Sequence, residues 1–379
     1  MSELEVLIQK LCPDGAEYVP LSELFFTRNG YTPSKSNPEF WNEGSIPWFR
    51  MEDIRENGRI LRDSSQHISE KAVKSQVFPE NSIIVATSAT IGEHALVTVP
   101  SLANQRFTYL VLKEQYQDLF DIKFLFYYCF KLDEYCKANL NQGNFASVDM
   151  KKFAKFEFPL VPLPVQQEIV RILDSFTELT AELTAELTAR KKQYEYYKRR
   201  LLDDFDAETI SFNKICNNVF SGKNKVRLAD EKYPVYGSTG IISTTNIPAY
   251  SKEQILIARV GANAGFVHIA NGEYDVSDNT LIVDLKDKVS LKYIYYQLSS
   301  MNLHQYAKGG GQPLITAGQI KELKIVVPTL EKQLEVVSIL DHFDALCNDL
   351  TSGLPAEIEA RKKQYEYYRD KLLSFKVKT

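Results

Sequence analysis

Apolar residues recur with a strict four-three alternation from Ile169 through Leu173, Phe176, Thr180, Leu183, Leu187, Arg190, Tyr194 and Tyr197 to Leu201. Eight of these ten positions are apolar or aromatic, and a seam of that period over about four heptads predicts a coiled-coil helix rather than an amphipathic surface helix. Pro162 and Pro164 punctuate its start. At about 1.5 Å per residue, roughly 40 residues make a rod on the order of 60 Å long. A second seam runs through Val336, Leu340, Phe343, Cys347, Leu350 and Leu354, slips by one four-residue step, and resumes at Ile358, Arg361, Tyr365, Tyr368 and Leu372. Ser352-Gly353-Leu354-Pro355 lies in the slip. Proline inside a helix costs about 3 kcal/mol, so two helices separated by a break are expected there.

Outside the helices the pattern changes. Short β-branched runs such as Ser82–Ala86 and Gln254–Ala258 are bounded by turn residues and predict strands. Gly, Asn and Ser cluster between such runs, at Asn29-Gly30, Asn141–Asn144, Gly237–Gly240 and Gly309–Gly311. The segments 19–158 and 212–325 therefore read as mixed α/β.

The chain is one unit of roughly 170 residues written twice. Arg190-Lys-Lys-Gln-Tyr-Glu-Tyr-Tyr197 recurs letter for letter as residues 361–368. Upstream, Gln166, Glu168 and Ile172-Leu173-Asp174 match Gln333, Glu335 and Ile339-Leu340-Asp341. Earlier still, Ile122-Lys123-Phe124 falls opposite Leu291-Lys292-Tyr293. The resulting division is 1–158 and 207–325 as α/β domains, with helical segments 159–206 and 326–379 following them. A helix that carries the chain from one domain to the next is most simply packed by an antiparallel return, which relates the copies by a pseudo-twofold axis.

Composition narrows the function. Five scattered cysteines without a CxxC pair argue for a reducing cytoplasm and against disulfides or structural zinc. No run of about eighteen apolar residues is present, and the first residues lack the basic-then-apolar form of a secretory signal. A net charge of −4 does not point to nucleic acid. Residues 212–330 nevertheless carry 13 basic against 9 acidic side chains, while 21–158 carry 16 against 17.

These features resemble the specificity subunits of type I restriction-modification systems, along essentially the whole chain. The likeness rests on the repeated RKKQYEYY octapeptide and on Gly30-Tyr-Thr-Pro33, Trp41 and Ile46-Pro-Trp48. It also rests on the spacer Thr177–Thr188, with two full TAEL copies and a partial one, similar to the branch with tetrapeptide spacer repeats. The resemblance implies two target-recognition domains joined by two long antiparallel coiled-coil helices. Each domain would read one half of a bipartite double-stranded DNA target, and the rod would set the unread spacer. It also implies two methyltransferase subunits and up to two restriction-translocation subunits as partners. S-adenosylmethionine, ATP and Mg²⁺ would be carried by those partners, with no metal, cofactor or catalytic residue on this chain. The second helical segment departs from the pattern by lacking TAEL repeats.

Base readout needs planar hydrogen-bonders and cations on loops that reach a groove. In the first domain the candidates are Tyr31, Thr32, Lys35, Arg50, Thr87, Ser88, Thr90, Asn104, Gln105, Arg106 and Asn144. In the second they are Lys223, Lys225, Arg227, Tyr236, Ser238, Thr239, Arg259, Asn263, Asn279, Lys308 and Gln312, with Asn279 opposite Arg106. A patch shared by both halves cannot read two different half-sites. Lys191, Lys192, Tyr194 and Tyr197, repeated as Lys362, Lys363, Tyr365 and Tyr368, therefore either pack the helices or dock an identical subunit. Two other classes compete. One is a divergent adenine methyltransferase, for which Asn37-Pro38-Glu39-Phe40 is the only motif and has Glu in place of Pro. The other is a coiled-coil scaffold, which leaves the α/β domains without a purpose. No P-loop is present, and the five histidines lack metal-ligand spacing.

Overall fold

The computed structural model describes residues 3–141, 146–203, 207–225 and 228–378. The chain divides into two compact units, one of residues 1–181 with 360–379 and one of residues 182–359.

The first unit is built on a five-stranded sheet in the spatial order Phe25–Asn29, Phe107–Leu112, Ser82–Ala86, His94–Val97, Ile60–Leu61. All neighbours are antiparallel except Ile60–Leu61, which runs parallel to His94–Val97. Both faces are covered, which is why Ser82–Ala86 is buried throughout, with the apolar run Ile83–Ala86 rather than an alternation. Ile83 and Val85 face helix Ile122–Ala138, with Phe124, Leu125 and Leu132. Ile84, Ala86 and Tyr109 face a second core around Trp48 and Phe49.

The second unit repeats the plan with four antiparallel strands in the order Cys216–Ser221, Thr280–Leu285, Gln254–Ala258, Val267–Ala270. Helix Leu291–Ser300 covers the face of Ile255 and Ile257, and Leu256 and Ile282 pack with Tyr274 on the other.

The central helix is continuous over 41 residues, Leu163–Asp203. In the first unit its Phe176 stacks on Tyr368, with ring centroids 5.6 Å apart. In the second unit its Tyr197 and Tyr194 stack on Phe343 at 5.9 and 6.2 Å. Within each unit, therefore, the central helix packs on one helix of the return segment. Between Leu173 and Tyr194 no residue of it is fully buried, as two strands alone leave a seam half open.

The return segment breaks as the Gly-Leu-Pro signal requires, into Leu330–Asn348 and Leu354–Leu372. Asp349 organises the break by accepting hydrogen bonds from the backbone and hydroxyl groups of Thr351 and Ser352. These donors hold its carboxyl far below the ordinary carboxylate range. Gly353 is required by close approach, since a Cβ there would lie 2.5 Å from the Ala345 carbonyl oxygen. One seam expectation fails. Leu350, assigned to the heptad core, is 81% exposed because the helix has already ended at Asn348.

The repeated letters that lie outside the seam turn out to be joints. Gln166 accepts from the Asp121 backbone N–H at 2.8 Å and donates to the carbonyls of Leu119 and Val161 at 2.8 and 2.6 Å. Gln333 accepts from the Ser290 N–H at 2.9 Å and donates to the Pro328 carbonyl at 2.8 Å. Asp174 receives Lys123 Nζ and the Tyr127 hydroxyl, both at 2.6 Å. Asp341 receives Lys292 Nζ at 2.6 Å and the Tyr296 hydroxyl at 2.7 Å. Burial first, and then the neighbouring carboxylate, push both tyrosine hydroxyls far above their ordinary values, so they remain donors.

Residues 376–378 close the first unit. Ala16 donates its N–H to the Lys376 carbonyl at 2.8 Å and accepts from the Lys378 N–H at 2.9 Å. Lys378 also pairs with Glu17 at 2.6 Å.

Replacing Gln333 by Leu strands the Ser290 N–H and the Pro328 carbonyl without changing the helix seam. The expected cost is about 1–3 kcal/mol for each group left unpaired. Urea unfolding should show it as a lowered midpoint for the second unit, with the first unit's transition unchanged.

Candidate nucleic-acid interface

In the first unit the candidate side chains converge at one end of the large sheet, because the chain folds back on itself there three times. Gly30 donates its N–H to the Phe107 carbonyl at 2.9 Å, and Tyr31 donates to Ala103 at 2.8 Å. Thr87 donates to the Arg106 carbonyl at 2.9 Å and accepts from the Val148 N–H at 2.9 Å. Asn104 donates its N–H to the Phe49 carbonyl, and its side chain accepts from the Arg106 N–H at 2.9 Å. The Thr32 hydroxyl bonds to Gln105, and Ser88 bridges Ser147. Tyr31, Thr32, Thr87, Ser88, Asn104, Gln105 and Arg106 therefore form one cluster, with Gln105 and Arg106 exposed.

Arg50 follows Phe49 into the same end. Its guanidinium donates to the Ser65 hydroxyl at 2.9 Å, while Nε is buried without a hydrogen-bond partner. Behind it, fully buried Asp53 accepts from the Arg50 N–H and from both the N–H and hydroxyl of Ser65. Sequence reasoning missed Asp53, although an acid three residues after the N-cap Arg50 of helix Met51–Asn57 is a recognisable cap signal. Lys35, exposed on its own loop, and Thr90, beyond Ala89, stand outside the bonded cluster. Asn144 lies outside the described residues.

The second unit builds the same frame from different letters. Gly222 donates to the Thr280 carbonyl at 3.0 Å. Arg259 donates its N–H to the Asn279 carbonyl at 3.0 Å and accepts from the Ile315 N–H at 2.8 Å. The Ser277 hydroxyl accepts from the Asn279 N–H at 3.3 Å, and the Ser277 N–H donates to the Tyr236 carbonyl at 2.8 Å. Asn279 thus occupies the place of Arg106, and Arg259 that of Thr87. Lys223 is exposed beside Gly222, and Ser238 and Thr239 form the turn after Tyr236. Leu314 returns the Lys308–Gln312 loop to the cluster by pairing with Val260. Lys225 is exposed two residues further along its loop, and Asn263 lies on the loop leading away from Arg259. Arg227 lies outside the described residues.

The close approach of backbone to backbone explains one glycine in each copy. A Cβ on Gly30 would meet the Ala103 carbonyl oxygen at 2.2 Å, and one on Gly222 would meet the Val276 carbonyl oxygen at 2.2 Å.

A second aromatic feature accompanies this end of the second unit. His268 sits between Tyr236 and Phe266, with ring centroids 5.4 and 5.8 Å away, and neither ring nitrogen has a hydrogen-bond partner. Burial lowers its pKa to about 4, so the ring is neutral at ordinary pH.

The family model for the type I restriction modification DNA specificity domain matches this chain twice, over residues 13–190 and 207–360. The chain belongs to that specificity family. It is 47% identical over 373 residues to the type I restriction enzyme EcoprrI specificity subunit of Escherichia coli, covering 93% of both chains. It resembles in fold the type I restriction-modification S subunit of M. genitalium, at a TM-score of 0.52 and 17% identity, over 94% of this chain and 95% of that one. A chain from a structure of complex assembly and conformational transition in a type I system gives a TM-score of 0.65 at 17% identity, over 96% and 98%. The mixed α/β architecture with two specificity domains and a long central helix is that of the family. Among the described residues no group of His, Cys, Asp or Glu could hold a metal ion, and no helix is long and apolar enough to cross a membrane. Asn37–Phe40 is a short 3-10 turn capped by Asn37, as expected of a structural element rather than of an adenine-binding motif.

The specificity-domain frame predicts a sharp glycine effect. Gly222→Ala should force apart two carbonyl-lined segments and cost about 1–3 kcal/mol, lowering the second unit's unfolding temperature in calorimetry while leaving the first unit's unchanged.

Proposed function

We propose that this specificity subunit reads a bipartite DNA target, each unit engaging one half-site through the loop cluster at its sheet end. The observation that carries the reading is one backbone frame carrying different side chains in its two copies. Thr87 and Arg106 in one unit stand where Arg259 and Asn279 stand in the other. An identical frame supports the same approach to a groove, and different side chains select different bases. Arg259 suits this role, because its backbone is pinned by bonds to Asn279 and Ile315, which fixes where its side chain starts.

The repeated octapeptide divides into two parts. Tyr194, Tyr197, Tyr365 and Tyr368 are used in packing, by their stacks on Phe343 and Phe176 and by the Arg369 guanidinium 5.8 Å from the Tyr365 ring. Lys191, Lys192, Lys362 and Lys363 are exposed, as are Tyr196 at 58% and Tyr367 at 63%. Solvent alone has no reason to repeat these exposed letters. A partner present in two copies does, and a methyltransferase subunit on each half fits that requirement. S-adenosylmethionine, ATP and Mg²⁺ then belong to the methyltransferase and restriction-translocation partners, in the cytoplasm, and this chain selects the sequence without chemistry of its own.

The TAEL stretch acts as the ruler in this reading. Leu179, Leu183 and Leu187 are only half-buried, so lengthening the helix there removes little packing. Four added residues extend a helix by about 6 Å and turn it by a net of about 40°. That rotation is close to the roughly 34–36° twist of one base pair.

Two experiments check the reading. Arg259→Ala should cost about 1–3 kcal/mol and relax preference at one position of one half-site; uniform weakening on all duplexes would make it a phosphate contact. Inserting Thr-Ala-Glu-Leu after Leu187 should preserve both half-sites and lengthen the unread spacer by about one base pair. Methylome sequencing of cells carrying that variant decides it, and an unchanged spacer refutes the ruler.

A further inference from the structure

One corresponding position is filled differently in the two units. In the first, helix residues Phe126 and Phe130 close on His94, with ring centroids 5.1 and 4.7 Å away. Asp133 bonds His94 Nδ1 at 2.6 Å, and the Arg59 guanidinium lies 5.0 Å over the Phe130 ring. The segment from Arg59 to Leu61 runs along the outer edge of strand His94–Val97. There Leu96 donates its N–H to the Arg59 carbonyl at 2.8 Å, and Thr98 donates to Leu61 at 3.0 Å.

The second unit has the frame without the filling. Lys123 and Tyr127 correspond to Lys292 and Tyr296 through their shared carboxylate joints, which sets Tyr295 opposite Phe126, Ser299 opposite Phe130 and Asn302 opposite Asp133. Strand pairing sets Val267 opposite His94. These four residues line a cavity of about 410 Å³, within the usual range for ligand sites of roughly 300–1,000 Å³. Its remaining wall includes Ala262, Ala264, Phe266 and Leu303. Asn263 and Asn302 also line it, Ser299 donates to the Tyr295 carbonyl at 2.7 Å, His304 Nδ1 bonds the Ala264 carbonyl at 2.9 Å, and none of its lining residues is Asp, Glu, Lys or Arg. An aromatic ring suits such a cavity better than an ion does.

The strand beside the cavity is also open. Val267–Ala270 is the edge of its sheet among the described residues. Ala258 donates its N–H to the Phe266 carbonyl at 2.9 Å. The alternation of an antiparallel ladder therefore turns the backbone groups of Val267 and Ile269 outward, as in Leu96.

We propose that this edge and cavity form a docking slot for an extended segment of the methyltransferase subunit. The segment pairs with Val267 and Ile269 as Arg59–Leu61 pairs with the first unit's strand, and seats one aromatic side chain where Phe130 sits in that unit. The occupant rests on the docking role given above to the octapeptide. Tyr295 in the cavity wall lies on helix Leu291–Ser300, which packs on helix Leu330–Asn348, whose Phe343 stacks on Tyr194 of the octapeptide, so slot and octapeptide adjoin. Because the first unit fills its own slot, the two methyltransferase copies are held unequally.

The test titrates the full chain with methyltransferase subunit and resolves the complexes by native mass spectrometry. Ser299→Phe fills the cavity with the side chain the first unit already accommodates. Ile269→Pro removes one outward N–H, a change that edge strands tolerate. Ala262→Trp closes the exposed mouth and serves if either of the others fails to fold. Each variant should weaken one of two bound copies by about tenfold or more and leave the other unchanged. Two copies bound as tightly by the folded variants as by the wild type overturn the slot and leave the docking role standing. Failure of the wild-type chain to bind any copy overturns the docking role and the slot with it. Self-association of the chain alone that Ser299→Phe abolishes also overturns the proposal, by giving the slot to a second copy.

Discussion

Two carboxylates on the rod, Asp174 and Asp341, are what the remaining geometry depends on. Each receives a lysine and a tyrosine from the helix that covers its sheet, at 2.6–2.7 Å. The lysine contacts are partly exposed and contribute little by charge alone. The tyrosine donates from a largely buried site, and a hydrogen bond to a charged acceptor is worth about 1.5–3 kcal/mol. Gln166 and Gln333 add a second joint about two turns earlier, so each covering helix is fixed in both rotation and height against the coil. The sheet follows the helix, and the loop cluster follows the sheet.

Much of this was legible in the letters. The four-three seam gave the central helix to within a few residues, and the proline with glycine gave the break in the return segment. Ser82–Ala86 and Gln254–Ala258 read as strands because their apolar runs are too short for helices and are bounded by turns. Leu350 did not read correctly, since a heptad count cannot tell that Asp349 has already bent the chain away. The joints were visible only as matches. Gln166, Asp174 and their counterparts recur without any local signal, and their partners come from some 45 residues earlier in the chain. Asp53 was legible as a helix cap, but its bonds to Ser65 were not, because Ser65 meets it only after folding.

The loop clusters show what a repeat keeps and what it lets go. Gly30 and Gly222 are kept because a carbonyl oxygen occupies the space of a side chain. The backbone bonds between Thr87 and Arg106 are kept, between Arg259 and Asn279, while every side chain on them has changed. Readout can therefore vary without disturbing the frame, which is the property a family of readers with different targets needs. The unread parts vary too: the space filled by Phe130 and Arg59 in the first unit is left open beside Ser299 in the second.

The closure of Ala16 onto Lys376 and Lys378 sets the order in which the molecule can be finished. The unit that begins first during synthesis needs residues 360–378, the part made after everything in the second unit. Domains fold as they emerge, at about 5–20 residues per second of synthesis, so residues 182–359 can settle as one uninterrupted stretch. The earlier half must wait with Leu4, Ala16 and Phe124 short of their last neighbours, Leu373 and Phe375. Ribosomes that stall before residue 360 would leave one finished reader and one that is still open.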